Sequence, residues 1–316
     1  MAGGEWRHDA SWKFHCFFFL LTTNLQSFHH QSAAQQRHRR SVSQYHARRR
    51  RRPISPRAGM AAAAGPTRLA YFDDMWALRA PATVLSIHHQ EEGGRRAVVL
   101  DATVFHPQGG GQPADTGAIV SASGAGARFL VEDVRVKDGV VFHYGRFEDA
   151  AGEEELSQGQ SVSLEVDAER RKLNSRLHSA GHLLDSCMTN LGLHLEPGKG
   201  YHFPDGPSVE YKGVVPADQL HDKKIQLEKE ANELILKGSK VLVSVFPYEE
   251  AAKLCGGALP SYISQDSSPR IVKFGNYPGC PCGGTHVADI ADIGNVKVTN
   301  IRVKKGVTKV SYGISP

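Results

Sequence analysis

Two short spacings in this sequence carry chemistry. His178-Ser-Ala-Gly-His182 sets two imidazoles four residues apart, and roughly a hundred residues later Cys282-Gly-Gly-Thr-His286 sets a thiol and a third imidazole at the same interval. On a helix, residues four apart share a face and their side chains converge, so the first pair can grip one metal ion. Metalloproteases of the H-E-x-x-H type use that geometry, but here Ser179 follows the first histidine where they carry their glutamate base. The replacement counts against a protease. The second pair sits in the tight loop Pro278-Gly-Cys-Pro-Cys-Gly-Gly-Thr-His286. A thiolate and three imidazoles suit zinc, a borderline-soft ion. The expected ligand set is therefore His178, His182, Cys282 and His286, with Zn2+ as the cofactor.

Four protein ligands usually close a structural site, whereas catalytic zinc keeps one position for water. With three ligands, that water would have its pKa lowered to about 7 and could attack an ester. With four, the ion would organise a pocket whose chemistry depends on positioning. Cys280 either replaces Cys282 or lies beside it, and both coordination schemes stay open on sequence alone. Cys187 and Cys255 lie in apolar surroundings and read as plain buried thiols. Five cysteines, an odd number with no convincing secretory signal, argue against a disulfide framework.

These side chains need a helix and a loop held together by a folded body. From about Ala82 to Leu164 the pattern is short, β-branched and broken by glycine. Strands are expected at Thr83–Ile87, Ala97–Val104, Phe129–Val136, Val140–Tyr144 and Ser161–Val166, with a turn at Asp138-Gly139. Such a run without a helix predicts a small β-barrel or sandwich over residues 68–164. A long helix then opens residues 165–316, with Asp167 as N-cap and Gly192 after its last periodic residues, Met188 and Leu191. A second helix is expected from about Ala217 to Lys237, then strands at Val241–Phe246, Arg270–Phe274, Asn295–Arg302 and Thr308–Tyr312. The fold class is α+β, a small N-terminal β-barrel followed by an α+β block.

The first 59 residues are of another kind. They hold 11 Lys/Arg against 2 acidic residues, including the unbroken run Arg48–Arg52, and after Asp9 no acid appears until Asp73. So polar a stretch reads as a disordered basic leader. Either it is an organellar transit peptide, placing the protein in a mitochondrion or plastid, or translation starts at Met60 and the protein is cytoplasmic. The apolar run Phe14–Leu21 is too short to span a bilayer, and no membrane role is expected. The other 257 residues carry 27 Lys/Arg against 31 acids, so bulk charge gives no argument for RNA binding and any phosphate contact must be local. Lys199, Lys212, Lys304 and Lys305 are the candidates for such contacts, set against the ordinary reading of exposed lysines as solvated surface.

The paired ligand motifs, in the context Cys-Gly-Gly-Thr-His-Val287, resemble the editing domain of alanyl- and threonyl-tRNA synthetases. Phe105-His-Pro-Gln-Gly-Gly-Gly-Gln-Pro-Ala-Asp-Thr-Gly117 resembles the glycine-rich segment before that domain in alanyl-tRNA synthetase. Lys199-Gly-Tyr-His-Phe-Pro-Asp-Gly-Pro-Ser-Val-Glu-Tyr211 and Asp292-Ile-Gly-Asn-Val296 extend the match, which is closest to the free-standing AlaX-type alanyl-tRNA editing proteins and covers about Arg68–Pro316. The resemblance implies a β-barrel followed by a synthetase-type editing domain, metal positions at His178, His182, Cys282 and His286, and hydrolysis of seryl- or glycyl-tRNA(Ala). No obligate protein partner is implied.

Such an enzyme has a physical rationale. A pocket shaped for alanine rejects glycine only by one methyl, worth about 1–3 kcal/mol, and rejects the added hydroxyl of serine poorly, so a second site must hydrolyse the wrong ester. Gly109, Gly110, Gly111 and Gln112, with Ser179 and Thr285 beside the ligands, are candidates for lining that pocket. The alternative for the glycine run is a backbone loop needing positive φ. No general base is identified. The rivals are a non-catalytic zinc-containing RNA-binding module and a hydrolase of another aminoacyl- or peptidyl-tRNA. A full alanine–tRNA ligase needs a class II aminoacylation core, and nothing in Met60–Leu164 reads as one.

Overall fold

The structure, a computed structural model, describes residues 65–89, 96–122, 126–148 and 156–315. The leader, with Cys16, the Phe14–Leu21 run, Arg48–Arg52 and the start at Met60, lies outside the described residues.

The first part consists of β1 (Arg68–Leu69), a short 3-10 turn (Ala70–Phe72), β2 (Arg79–His89), β3 (Arg96–Leu100), β4 (Ala102–Thr103), β5 (Gly117–Ser121), β6 (Arg128–Lys137), β7 (Val140–Phe147) and β8 (Ser161–Val166). Six of these strands close into a barrel in the order β2-β3-β7-β6-β5-β8. Closure removes the exposed edges that a small sheet would otherwise present. Alternation builds its interior, as Val162, Leu164 and Val166 of β8 turn inward with Val141 and His143 of β7. Asp138 (φ 50) and Gly139 (φ 81) take the left-handed conformations that suit a two-residue hairpin between β6 and β7. The strand expected over Ala97–Val104 is broken at Asp101. That carboxylate accepts from the backbone N–H groups of Thr83 (2.7 Å) and Ala102 (2.8 Å), which ends β3 and starts β4.

After the barrel come α1 (Ala168–Asn190), β9 (Glu196–Tyr201), β10 (Ser208–Lys212), α2 (Leu220–Lys237), β11 (Val241–Val245), α3 (Tyr248–Leu254), β12 (Arg270–Phe274), β13 (Cys280–Pro281), β14 (Asn295–Lys304) and β15 (Val307–Ser315). The Asp167 side chain accepts from Arg170 N, the cap that starts α1. Leu177, Ala180, Leu183, Leu184 and Met188 of α1 enter a core shared with α2 and the sheet β14-β15-β10-β9. A separate three-stranded sheet, β11-β12-β13, carries the second ligand pair at its end.

One buried ion pair joins the barrel to α1. Arg171 donates from Nε to both carboxylate oxygens of Asp115 (3.1 and 3.0 Å) and from its terminal nitrogens to Met75 O (2.8 Å) and Val104 O (2.6 Å). Among the described residues no helix is long and apolar enough to cross a membrane.

Candidate metal centre

Helix periodicity turns His178 and His182 to one side of α1, and the loop after β13 brings Cys282 and His286 against them. One donor atom from each of the four lies within 4.8 Å of every other, and all four residues are buried by their neighbours. His178 Nε2 is 3.3 Å from His182 Nε2 and 3.6 Å from Cys282 Sγ, which is 3.2 Å from His286 Nε2. Zinc bonds of about 2.0–2.1 Å to nitrogen and about 2.3 Å to sulfur imply tetrahedral edges of roughly 3.4 and 3.6 Å. The donor set and its spacing therefore fit such an ion. Gly284 allows the approach, because a Cβ there would lie 2.2 Å from His178 Cε1.

Each histidine is held by its other ring nitrogen. His178 Nδ1 donates to Gln112 Oε1 (2.8 Å), so its Nε2 keeps the lone pair facing the cluster. His286 Nδ1 lies 3.2 Å from Ser179 Oγ, and His182 Nδ1 lies 3.3 Å from Cys280 Sγ. Cys280 is thus beside the cluster, on the far side of His182. Arg270 holds the loop itself, donating to Cys282 O (2.7 Å) and Gly284 O (2.8 Å). The stretch just before β2 covers the other flank, with Trp76 Nε1 donating to His286 O (3.2 Å). Burial pushes the Cys282 thiol up to about 11, partly opposed by the nearby Arg270 charge. Burial lowers His182 to about 4 and takes His178 and His286 well below the usual histidine range, where neighbouring imidazoles lower them further. All three rings stay neutral, with lone pairs available to a metal.

His178, His182 and Cys282 form one wall of a cavity of about 380 Å³, completed by Asp185, His202 and the edge strand β9. Its size lies within the usual range for small-molecule sites, roughly 300–1,000 Å³. Gly110 (φ 57) and Gly111 (φ 79) line it in left-handed conformations, while Gly109 does not reach it. Gln112, Ser179 and Thr285 are fully buried behind the ligands. Gln112 Nε2 donates to Thr285 Oγ1 (2.9 Å) and Thr285 N donates to Gln112 Oε1 (2.9 Å), so these side chains brace the cluster and leave the cavity wall to others. Lys199 is exposed and lines the cavity. Lys212 pairs with Glu196 (2.8 Å), and Lys304 and Lys305 sit at the β14–β15 turn, all three off the cavity wall.

Asp185 and His202 are among the wall residues outside the expected set. Asp185 follows His182 by three positions, on the same helical face, a spacing that was available as a signal. His202 had none. Its Nδ1 lies 2.7 Å from Tyr312 Oη, which itself donates to Leu177 O (2.9 Å). The Tyr312 hydroxyl proton is thereby committed, so His202 donates from Nδ1 and keeps a free lone pair on Nε2. Burial, followed by the His182 ring, lowers His202 to about 3.

Comparison with known proteins bears on what uses this cavity. The family model "Threonyl and Alanyl tRNA synthetase second additional domain" matches residues 270–311, the span holding Cys282 and His286. The model "tRNA synthetases class II (A)" matches residues 24–170. The described part of that span folds mainly as the barrel. The chain is 31% identical over 231 residues to "Alanyl-tRNA editing protein AlaX-L" of Pyrococcus horikoshii, covering 72% of this chain and 53% of that protein. It is 34% identical over 235 residues to "Alanine--tRNA ligase" of Methanothrix thermoacetophila, covering 73% and 24%. With the same-named ligase of Halobacterium salinarum it shares 33% over 252 residues, covering 78% and 26%. The matched region thus spans about half the length of the AlaX-L relative and about a quarter of the ligases.

Proposed function

This chain belongs among the AlaX-type alanyl-tRNA editing proteins and their alanyl-tRNA synthetase relatives, and from that premise we propose that it is a deacylase of mischarged tRNA(Ala). The observation that carries the reading is the buried three-histidine, one-cysteine cluster in the wall of a ligand-sized cavity. The substrates are the seryl and glycyl esters of tRNA(Ala), and the ion at the cluster is zinc. Zinc held by His178, His182, Cys282 and His286 would supply positive charge to polarise an ester carbonyl.

The chain's own residues supply the rest. Gly110, Gly111 and Gly198 form cavity wall without side chains, leaving room for a small acyl group. His202 offers its free Nε2 lone pair to a water molecule. Lys199 at the rim meets a backbone phosphate of the acceptor end. Water attacks the ester carbonyl, the bond to the ribose oxygen breaks, and the amino acid leaves as free acid. The protein acts in the cytoplasm, or in an organelle if residues 1–59 serve as a transit peptide; fluorescence of a full-length fusion against one lacking those residues separates the two.

The test is to incubate the full chain with tRNA(Ala) carrying labelled serine, glycine or alanine. Seryl- and glycyl-tRNA should be cleared and alanyl-tRNA spared. If the mischarged forms survive as long as with heat-killed protein, the deacylase reading fails. Cys282→Ala should remove both bound zinc and hydrolysis. The closed set of four protein donors favours a second role for the ion, organising the pocket rather than touching the ester. Cobalt substitution separates the two, since only direct contact would change the visible spectrum when a serine ester analogue binds.

A further inference from the structure

Helix α1 presents a carboxyl group to the cavity as well as two imidazoles. Asp185 stands seven residues after His178 and three after His182, on the same helical face, and lines the cavity with them. Its Oδ1 accepts from Tyr211 Oη (2.8 Å), and Tyr211 is fully buried in β10, so the carboxyl is held in place. Its Oδ2 is 4.0 Å from His182 Nδ1, a nitrogen that lies closer to Cys280 Sγ at 3.3 Å. Among the described residues no lysine or arginine pairs with it. Burial raises the carboxyl to about 7, opposed only in part by the Tyr211 hydrogen bond. A fixed carboxyl on a cavity wall, lacking a cationic partner from the protein, is complementary to a cation brought in by the ligand.

Aminoacyl esters bring one. Their α-ammonium sits on the carbon next to the ester carbonyl, whereas N-acylated and peptidyl esters carry a neutral amide there. We propose that Asp185 anchors the α-ammonium group of the substrate, which confines this cavity to esters of free amino acids and turns away N-acylated ones. The inference rests on the deacylase reading and adds a specificity residue to it. Because only the α-carbon separates the ammonium from the carbonyl, the anchor also fixes where the carbonyl lies against the cluster wall. Tyr211 positions the anchor without touching substrate.

Two amides test this without turnover: 3′-seryl-amino-3′-deoxyadenosine, and the same compound acetylated on its α-nitrogen. Titration calorimetry with the full metal-loaded chain should find the free-amine compound bound more tightly, on the order of 10- to 100-fold, as expected for one charge-assisted hydrogen bond. Asp185→Asn should lower the affinity for the free amine to that for the acetylated amide. Affinity for the acetylated amide and bound metal should not change. Equal affinities in the wild type, a preference kept by Asp185→Asn, or binding of neither amide would overturn the anchor. The wild-type comparison alone suffices if the variant misfolds. Turnover of seryl-tRNA(Ala) without the amide preference would sink the anchor and leave the deacylase reading standing; the preference without turnover would do the reverse.

Discussion

Gln112→Ala would remove one side chain from the glycine-rich loop of the barrel and unmake three hydrogen bonds at the ligand cluster. Gln112 Oε1 accepts from His178 Nδ1 and from Thr285 N, while its Nε2 donates to Thr285 Oγ1. These partners lie 66 and 173 residues away in sequence, and Gln112, His178 and Thr285 are all buried from water. In the variant, the imidazole N–H of His178 and the backbone N–H of Thr285 both lose their acceptor. Each buried donor left unpaired costs about 1–3 kcal/mol, so the two together cost about 2–6 kcal/mol. Thr285 Oγ1 keeps Ser175 Oγ at 2.7 Å and is not orphaned. His178 also loses the contact that fixes its tautomer, and losses of that kind weaken metal affinity by about 10- to 100-fold. Two measurements read these effects separately, zinc affinity by competition with a chromogenic chelator and stability of the metal-free protein by urea unfolding. Gln112→Glu keeps an acceptor for both N–H groups and should recover most of the loss. If Gln112→Ala bound zinc as tightly as the wild type and unfolded at the same urea concentration, the bracing role assigned to this loop would be refuted.

Other perturbations follow from the same geometry. Asp115→Ala leaves the Arg171 guanidinium buried without its counter-charge and should destabilise the protein by about 3–5 kcal/mol in urea unfolding; an unchanged midpoint would show that the pair does not hold barrel and helix together. His143 is fully buried in the barrel, and burial lowers it to about 4 against an unfolded value near 6.5. The unfolded chain therefore takes the proton first as pH falls, and this residue alone should lower stability by about 1.4 kcal/mol per unit between those two values. His143→Gln should reduce the overall slope by that amount, the remainder coming from the other buried histidines such as His106, and an equal slope in the variant would exclude this residue as a contributor. Gly284→Ala would drive a Cβ into His178 and should abolish zinc binding while near-ultraviolet dichroism of the barrel persists; zinc retained at full stoichiometry would contradict the packing at this position.

The division between what the sequence made visible and what it hid follows the range of the contacts. Ser161–Val166 and Arg270–Phe274 occupy the expected ranges because regular alternation or a β-branched run states a strand locally. The Asp167 cap and the convergence of His178 with His182 are equally local. β9 was missed because Glu196-Pro-Gly-Lys-Gly-Tyr201 reads as a loop, yet backbone pairing with β10 at the sheet edge overrides that weak propensity. β5 was missed for a related reason, its short apolar run directly following the glycine-rich segment. The short helix α3 gave too few turns for a periodic pattern.

Within the site, the same distinction explains Gln112. Its neighbours in sequence are glycines and proline, which point to a loop lining something, and Gly110 and Gly111 do line the cavity. Nothing near Gln112 says that its amide reaches His178 and Thr285, because those contacts exist only once the barrel docks on α1 through Arg171 and Asp115. His202 is similar, since its ring is oriented by Tyr312 from the last strand of the chain. Four ligands at regular spacings can be read from a sequence because each pair is held by one element. Ser179 holds His286 from within α1, but most of the groups that orient the ligands and shape the cavity come from the barrel loop, β9, β12 and β15, so they become readable only after those elements have been brought together. Metal bound at a centre assembled this way would draw its affinity from the packing of the barrel against the helix as well as from α1 and the Cys282 loop.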